Sequence, residues 1–306
     1  MSHSPTRASA DTQEMPSQTD LAYLAAKYFG APPTPMRLEF GARSHPGRVR
    51  TNNEDHYNVV RRRRTRDVLL TNLPEGYLPQ VDDDSYALAV ADGIGGAAFG
   101  ELASMFALRA GWDLTSRAYK WHFRLSEREM AELMEMVQVY GQLIHQKLRD
   151  LAKTDPSFAG MGTTITAAII VAGNAVIGHI GDSRAYLWRA GNLRQLTRDH
   201  TRAQEMVDIG VFDSIEDAPK FMRHVLVNCL GGATAEVDVD VHHVALEAGD
   251  RLLLCTDGLT DMIADNHVAQ VLQAHPAADE ACQALVDSAL EHGGKDNVTV
   301  VLANVK

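Results

Sequence analysis

The residues best suited to chemistry are carboxylates set where apolar runs stop. The run from Tyr86 to Ala91 ends at Asp92-Gly93, and the run that begins at Arg251 ends at Asp257-Gly258. A buried strand fixes a carboxylate in space, and the glycine after it can expose its carbonyl or take φ > 0 without a Cβ penalty. A third run, Ala175 to Ile180, leads into Gly181-Asp182-Ser183-Arg184, and Asp296-Asn297 opens an apolar C-terminal stretch. One strand-end aspartate is ordinary; several suggest carboxylates converging on a hard cation, which takes oxygen ligands. Upstream, Arg50-Thr-Asn-Asn-Glu-Asp55 puts an arginine five residues before an aspartate. A guanidinium fork suits a phosphate, and Glu54 and Asp55 suit a cation or its waters. Taken alone, that stretch is more often a solvated turn.

Composition limits what these groups serve. The chain has 306 residues, 45% of them hydrophobic and 23% charged, which allows one large domain or two. A formal net charge of -11 argues against a nucleic-acid binder, whose affinity rests on cationic contacts to phosphates. Cys229, Cys255 and Cys282 are an odd number without a Cys-x-x-Cys pair, so a reducing cytoplasm is expected rather than a disulfide framework or zinc knuckle. The N-terminus is polar, without a signal-peptide core. The longest apolar stretch, Ala167 to Ile177, is interrupted by Gly173 and Asn174 and is too short to span a membrane.

The elements that must position these groups follow from periodicity. Residues 1–35 read as a disordered tail rich in Ser, Thr and Pro, with one short helix from Asp20 to Phe29 whose apolar face is Leu21, Leu24, Ala25 and Tyr28. The domain proper is expected over 36–306, with residues 61–84, from Arg61 to Asp84, as an inserted loop or hairpin. A helix over Glu101–Leu114 places Leu102, Met105, Phe106 and Trp112 on its core face, and Ser126 with Glu129 forms a capping box for a longer one. That second helix has its apolar stripe at Met130, Leu133, Met134, Val137, Tyr140, Ile144, Leu148 and Leu151. Strands follow at Thr163–Val171, Ala175–Ile180 and Ala185–Trp188, with turn signals at Gly173-Asn174 and Ala190-Gly191. Further strands at Val237–Val244, Arg251–Cys255 and Asn297–Val305 alternate with helices near Thr201–Ile209, Asp265–Gln273 and Glu280–Leu290. The pattern reads as an α+β layered fold.

Taken in order, the motifs resemble the metal-dependent protein serine/threonine phosphatases of type 2C, in their bacterial form. They are Arg50-Thr-Asn-Asn-Glu-Asp55, Val90-Ala-Asp-Gly-Ile-Gly-Gly96, Gly100-Glu101, Gly162-Thr-Thr164, Gly181-Asp-Ser-Arg184, Leu196-Thr-Arg-Asp-His200, Cys255-Thr-Asp-Gly258 and Asp296-Asn297. Each is weak alone; the ordered set, over roughly residues 40–306, is specific. The resemblance implies a four-layer α-β-β-α sandwich of two antiparallel sheets flanked by helices, with a dinuclear Mg or Mn site at one end.

Carried over by position, the resemblance makes Asp92 a bridge between two ions, joined on one by the Gly93 carbonyl, Asp257 and Asp296. Asp55 binds the other ion, directly or through water, and Asp182 helps hold a possible third. Glu54 orders water, and Arg50 grips the substrate phosphate, so Arg50, Asp92 and Asp257 form the implied catalytic set. The implied reaction is hydrolysis of phosphoserine and phosphothreonine in proteins by a hydroxide bridging the ions. Phosphorylated proteins and a serine/threonine kinase pathway are the expected partners, with no nucleic acid or membrane, and a monomer is expected. His200 carries no metal role, and the remaining histidines, His242-His243 included, show no ligand spacing. Cys255 lacks the glycine- and arginine-rich phosphate loop that a cysteine nucleophile needs. This chain departs from the family at Ile94 and Ala97, where relatives have a histidine, and at Val227-Asn228, where many have Thr-Arg. The leaving-group acid is then expected to be a water that a third ion near Asp182 supplies, the alternative being that Asp182 chiefly pairs with Arg184 or caps the strand end, and the flap between His200 and Leu230 is expected to meet substrate differently. The alternative is a catalytically weak regulatory or partner-binding module on the same fold. The intact metal positions favour the enzyme.

Overall fold

Strands buried on both faces read as unbroken apolar runs, and the two most buried strands have that character. The computed structural model describes residues 27, 36–65, 67–73, 78, 83–95, 99–116, 126–232 and 234–306. In chain order the first elements are β1 (Leu38–His45), β2 (His56–Arg64), β3 (Asp83–Ala91), β4 (Gly93–Ile94), α1 (Phe99–Ser116) and α2 (Glu127–Thr154). Next come β5 (Gly162–Thr163), β6 (Ile165–Val171), β7 (Asn174–Ile180), β8 (Arg184–Arg189), β9 (Asn192–Gln195), α3 (Arg202–Asp208), α4 (Lys220–Arg223) and β10 (Leu230–Gly231). The chain ends with β11 (Asp240–Ala245), β12 (Arg251–Cys255), α5 (Asp257–Thr260), α6 (Asp265–Ala274), α7 (Ala278–Glu291) and β13 (Val298–Val305).

One five-stranded sheet has the order β1-β13-β12-β8-β9, a second β11-β7-β6-β3-β2, and β10-β5-β4 make a small third. Alternation along β12 and β13 builds two cores at once. Leu252, Leu254, Val301, Ala303 and Val305 meet Leu88, Val90, Ala168, Ile170 and Ile177 of the second sheet. Leu253, Cys255, Val300 and Leu302 face the other way, onto Val268 and Leu272 of α6 and Leu285 of α7. On the outer side of the second sheet, Ile180 packs with Ala103, Ala107 and Ala110 of α1 and Ile144 and Leu148 of α2. The result is the expected four-layer α+β sandwich, each fully buried leucine contributing about 1.5–3 kcal/mol.

The helix capped by Ser126 forms as expected: Ser126 Oγ accepts from Glu129 N, and Glu129 Oε2 accepts from Ser126 N at 2.9 Å. The face expected to bury α1 is corrected. Gly100, Ala103, Ser104, Ala107 and Ala110 are buried, whereas Met105 and Trp112 each stay 49% exposed. The reason is close approach: a Cβ on Gly93 would lie 2.1 Å from the Gly100 carbonyl oxygen, so only small residues fit beneath α1. The inserted loop is also shorter than expected. Arg61–Arg64 complete β2, Asp84 lies in β3, and Arg63 Nε donates to Asp84 Oδ1 at 2.9 Å. The β6–β7 turn falls at Ala172-Gly173, both with positive φ (47° and 77°), one residue earlier than the signal read from sequence.

Packing divides the chain into two units, residues 1–34 with 64–83 and residues 35–63 with 84–306. The second unit holds the described helices from α1 onward and both large sheets. In the first, Leu73 N donates to Thr71 Oγ1 at 3.0 Å. Leu21, Leu24, Ala25 and Tyr28 of the expected tail helix lie outside the described residues; Lys27 is helical.

Candidate metal centre

The C-terminal ends of β3, β7 and β12 and the entry to β13 open on one cavity of about 580 Å³. Arg50, Glu54, Asp92, Gly93, Asp182, Asp257 and Asp296 line it, which brings together every expected site residue except Asp55. Asp55 sits just behind, 3% exposed, with its Oδ2 accepting from Thr256 Oγ1 at 2.7 Å. Thr256, which follows β12 and immediately precedes Asp257, thus ties Asp55 to the strand end that carries Asp257.

Asp92 is fixed through its backbone, which leaves the carboxylate for the cavity. Its N–H donates to Thr164 Oγ1 at 3.0 Å, and its carbonyl accepts from Thr164 N at 2.9 Å and Thr163 Oγ1 at 2.7 Å. The glycines after Asp92 and Asp257 serve close approach rather than positive φ. A Cβ on Gly258 would stand 1.9 Å from the Asn297 carbonyl oxygen, much as one on Gly93 would strike Gly100. Asn297 then staples the phosphate-binding candidate loop: its Oδ1 accepts from Glu54 N at 2.8 Å, and its Nδ2 donates to Pro46 O at 2.9 Å and Asn52 O at 2.8 Å. Arg50 Nη2 donates to Asp296 Oδ2 at 2.6 Å.

The electrostatics are those of anions crowded away from water. Burial, then the charges of Asp55, Asp257, Asp182 and Asp296, hold Asp92 well above the usual carboxylate range. Asp182 is raised in the same way, by burial and by Asp257 and Asp199. Burial pushes Asp55 up to about 7 against the hydrogen bond from Thr256, and burial with Asp261 and Asp296 pushes Asp257 up to about 7. Asp55 Oδ1 and Asp257 Oδ1 are buried without a hydrogen-bond partner. Two orphaned buried carboxylate oxygens, beside the further carboxylates of Asp92, Asp182 and Asp296, fit a hard divalent cation of the Mg or Mn type.

Arg184 forks onto Asp199 at 2.6 Å and reaches the Tyr186 hydroxyl at 3.0 Å, so it is not the partner of Asp182. His200 is tied into the fold: its Nδ1 accepts from Gly181 N at 3.1 Å and Asn228 Nδ2 at 2.8 Å, which assigns the proton to Nε2, 3.1 Å from Asp240 Oδ2. Asn228, one of the family departures, thus pins the base of the flap. From the flap, His224 and Leu226 reach the cavity. Ile94 lines it too; Ala97 lies outside the described residues.

Sequence reading missed Asp261, His224 and Lys295, which also line the cavity. His224, Asp257 and Asp261 each bring a ligand atom within 4.8 Å of the others. Asp261 was findable, since it stands four residues after Asp257 and shares its helical face. His224 carried no signal, because it comes from a distant, irregular segment.

Comparison with known proteins gives a consistent set of likenesses. The sequence model of the protein phosphatase 2C family matches residues 77–295. A serine/threonine phosphatase, stp, of Listeria monocytogenes is 33% identical over 268 residues, 87% of this chain and 95% of its own. The serine/threonine protein phosphatase PstP of Mycobacterium tuberculosis is 34% identical over 269 residues, 88% of this chain but 45% of the longer relative. Among solved structures, the S. agalactiae serine/threonine phosphatase matches with a TM-score of 0.73 and 28% identity, over 88% of this chain and 100% of that one. The catalytic domain of PstP in complex with 2 manganese ions matches with a TM-score of 0.68 and 32% identity, over 89% and 99%.

Proposed function

The chain belongs to the protein phosphatase 2C family, and from that premise we propose that it is a metal-dependent phosphatase of phosphoserine and phosphothreonine in proteins. The observation that carries the reading is the convergence of Asp55, Asp92, Asp182, Asp257 and Asp296 around two orphaned buried oxygens. Asp92 would hold two ions, with the Gly93 carbonyl, Asp257 and Asp296 completing one and Asp55 the other. Asp182, with Asp261, would hold a third. Such cations supply a nucleophilic water near neutral pH and neutralise charge on the phosphoryl oxygens.

The chain's own residues do the rest. Arg50 exchanges its Asp296 partner for the substrate phosphate once that carboxylate is engaged elsewhere, offering a bidentate fork. Glu54, raised by burial and by Asp296 and Glu101 against the pull of Arg50, orders water at the cavity wall. Ile94 has no proton to give, so protonation of the departing seryl oxygen falls to water held near Asp182. We assign catalysis to residues 36–306 and treat residues 1–35 as an appendage. The substrates are phosphoproteins opposed by a serine/threonine kinase, met by a monomer. Three free cysteines suit a reducing, cytoplasmic setting, and no described helix is long and apolar enough to cross a membrane.

Hydrolysis of an aryl phosphate and of a phosphothreonine peptide, with Mn and then with excess chelator, tests the reading. Turnover should vanish with chelator and fall about 10²–10³-fold or more in Asp92→Ala and Asp257→Ala, with the fold retained by circular dichroism. Full activity in chelator or in either variant would overturn it.

A further inference from the structure

A second cavity, of about 120 Å³, lies between α1, α2 and the outer face of the sheet that contains β2, β3, β6 and β7. Leu108, Val137, Ile144, Ile169 and Val176 are among its walls, which are almost wholly apolar. An engineered apolar cavity of roughly 150 Å³ stays dry and accepts benzene, so this one admits one aromatic ring or a short alkyl chain. His179 lines it but offers nothing to a guest: its Nδ1 bonds Thr166 Oγ1 at 2.9 Å and its Nε2 the Arg198 carbonyl at 2.9 Å.

The edge strand brings polar groups to the cavity wall. β2 is the edge strand of its sheet, and Asn58, Val60 and Arg62 alternate onto the face that lines the cavity. Arg62 is half-buried, and its guanidinium, whose electrostatic neighbour on the cavity wall is Tyr140, makes no hydrogen bond or ion pair with any described side chain. On the opposite face of the same strand, Arg63 is satisfied by Asp84. Burial holds Arg62 below the ordinary guanidinium range, yet a guanidinium keeps its proton and half-buried charge is costly without a partner. Trp112, half-exposed, lines the same cavity and offers a ring against which a guest can lie.

An apolar slot of one ring's size beside a guanidinium with no hydrogen-bond or ion-pair partner among the described residues calls for a ligand with one apolar body and one planar anion. We propose that this cavity binds a small aryl or short-chain carboxylate, its apolar part between α1 and α2 and its carboxylate forked onto Arg62. A carboxylate matches the one positive charge and its planar donors; a phosphate dianion would leave charge uncompensated against apolar walls.

Isothermal titration of the full chain with benzoate and hexanoate, and with benzamide and hexanamide as neutral isosteres, tests the proposal. Either acid should bind saturably and at least about tenfold more tightly than its amide, and Arg62→Gln should remove that preference. Ala167→Leu, which fills the cavity from β6, should abolish binding of acid and amide alike without lowering Tm by more than a few degrees. Arg50→Ala should leave binding unchanged. Absence of saturable binding, equal affinity for acid and amide, an indifferent Arg62→Gln, or loss of binding in Arg50→Ala would each overturn it, the last by moving the acid to the metal centre. Should Ala167→Leu fail to fold, the Arg62→Gln comparison decides by itself.

Discussion

At the scale of single residues, Arg50 has two competing partners. In the structure it holds Asp296 Oδ2, and that pair is more than half exposed on the arginine side, so it is worth little and easily exchanged. Arg50→Ala should raise KM for a phosphothreonine peptide about tenfold with a smaller change in kcat, measured by steady-state kinetics; an unchanged KM would mean the side chain never leaves Asp296. Asp182 allows a sharper test. With Arg184 committed to Asp199, removal of Asp182 should not release a buried cation. Asp182→Ala should therefore depress kcat/KM for a phosphoserine peptide at least about tenfold more than for an aryl phosphate, whose phenolate hardly needs an acid. Equal losses on the two substrates, judged beside Tm, would show a purely structural role.

At the scale of elements, the site depends on how closely α1 lies over β4. Gly93 and Gly100 meet backbone to backbone, and the small face of α1 continues that contact along the sheet. Gly93→Ala puts a methyl into a carbonyl that cannot retreat without moving α1. It should cost about 1–3 kcal/mol, read by urea unfolding, and lower activity beyond what the stability loss explains. A variant of normal stability and activity would mean that the contact is looser than its geometry. The flap behaves differently, because Asn228 and His200 tie down its base while His224 and Leu226 reach into the cavity, so change there should alter substrate choice before stability.

At the scale of the whole molecule, the clustered aspartates set how stability follows pH. Asp55 and Asp257 keep their protons up to about pH 7 when folded without cations, against ordinary values near 4 in the unfolded chain. Between about pH 4 and 7 the folded chain thus binds more protons than the unfolded one, so these groups make stability fall as pH rises through that window. In chelator, calorimetry should give a higher Tm for wild type at pH 5.5 than at pH 8, with a smaller difference in Asp257→Asn. Mn should reverse the trend by raising Tm more at pH 8, where protons do not compete for the ligands. A chelated Tm that rose steadily towards pH 8 would contradict the crowding of these carboxylates.

Much of this protein was legible in order along the chain. Local rules fixed the apolar runs of β12 and β13, the capping box at Ser126 and the aspartates at strand ends, because each depends on neighbours a few residues away. The sequence also determined which residue types were available, and with them a family and a set of candidate carboxylate ligands. Tertiary structure alone decided the rest. Which face of α1 is buried depended on a backbone approach at Gly93, and close packing left Met105 and Trp112 of the expected stripe exposed while Phe106 packs against the core. The stapling by Asn297 and the entry of His224 into the cavity join residues far apart in sequence, and even the Arg184–Asp199 pair spans two strands and a turn that no local periodicity encodes.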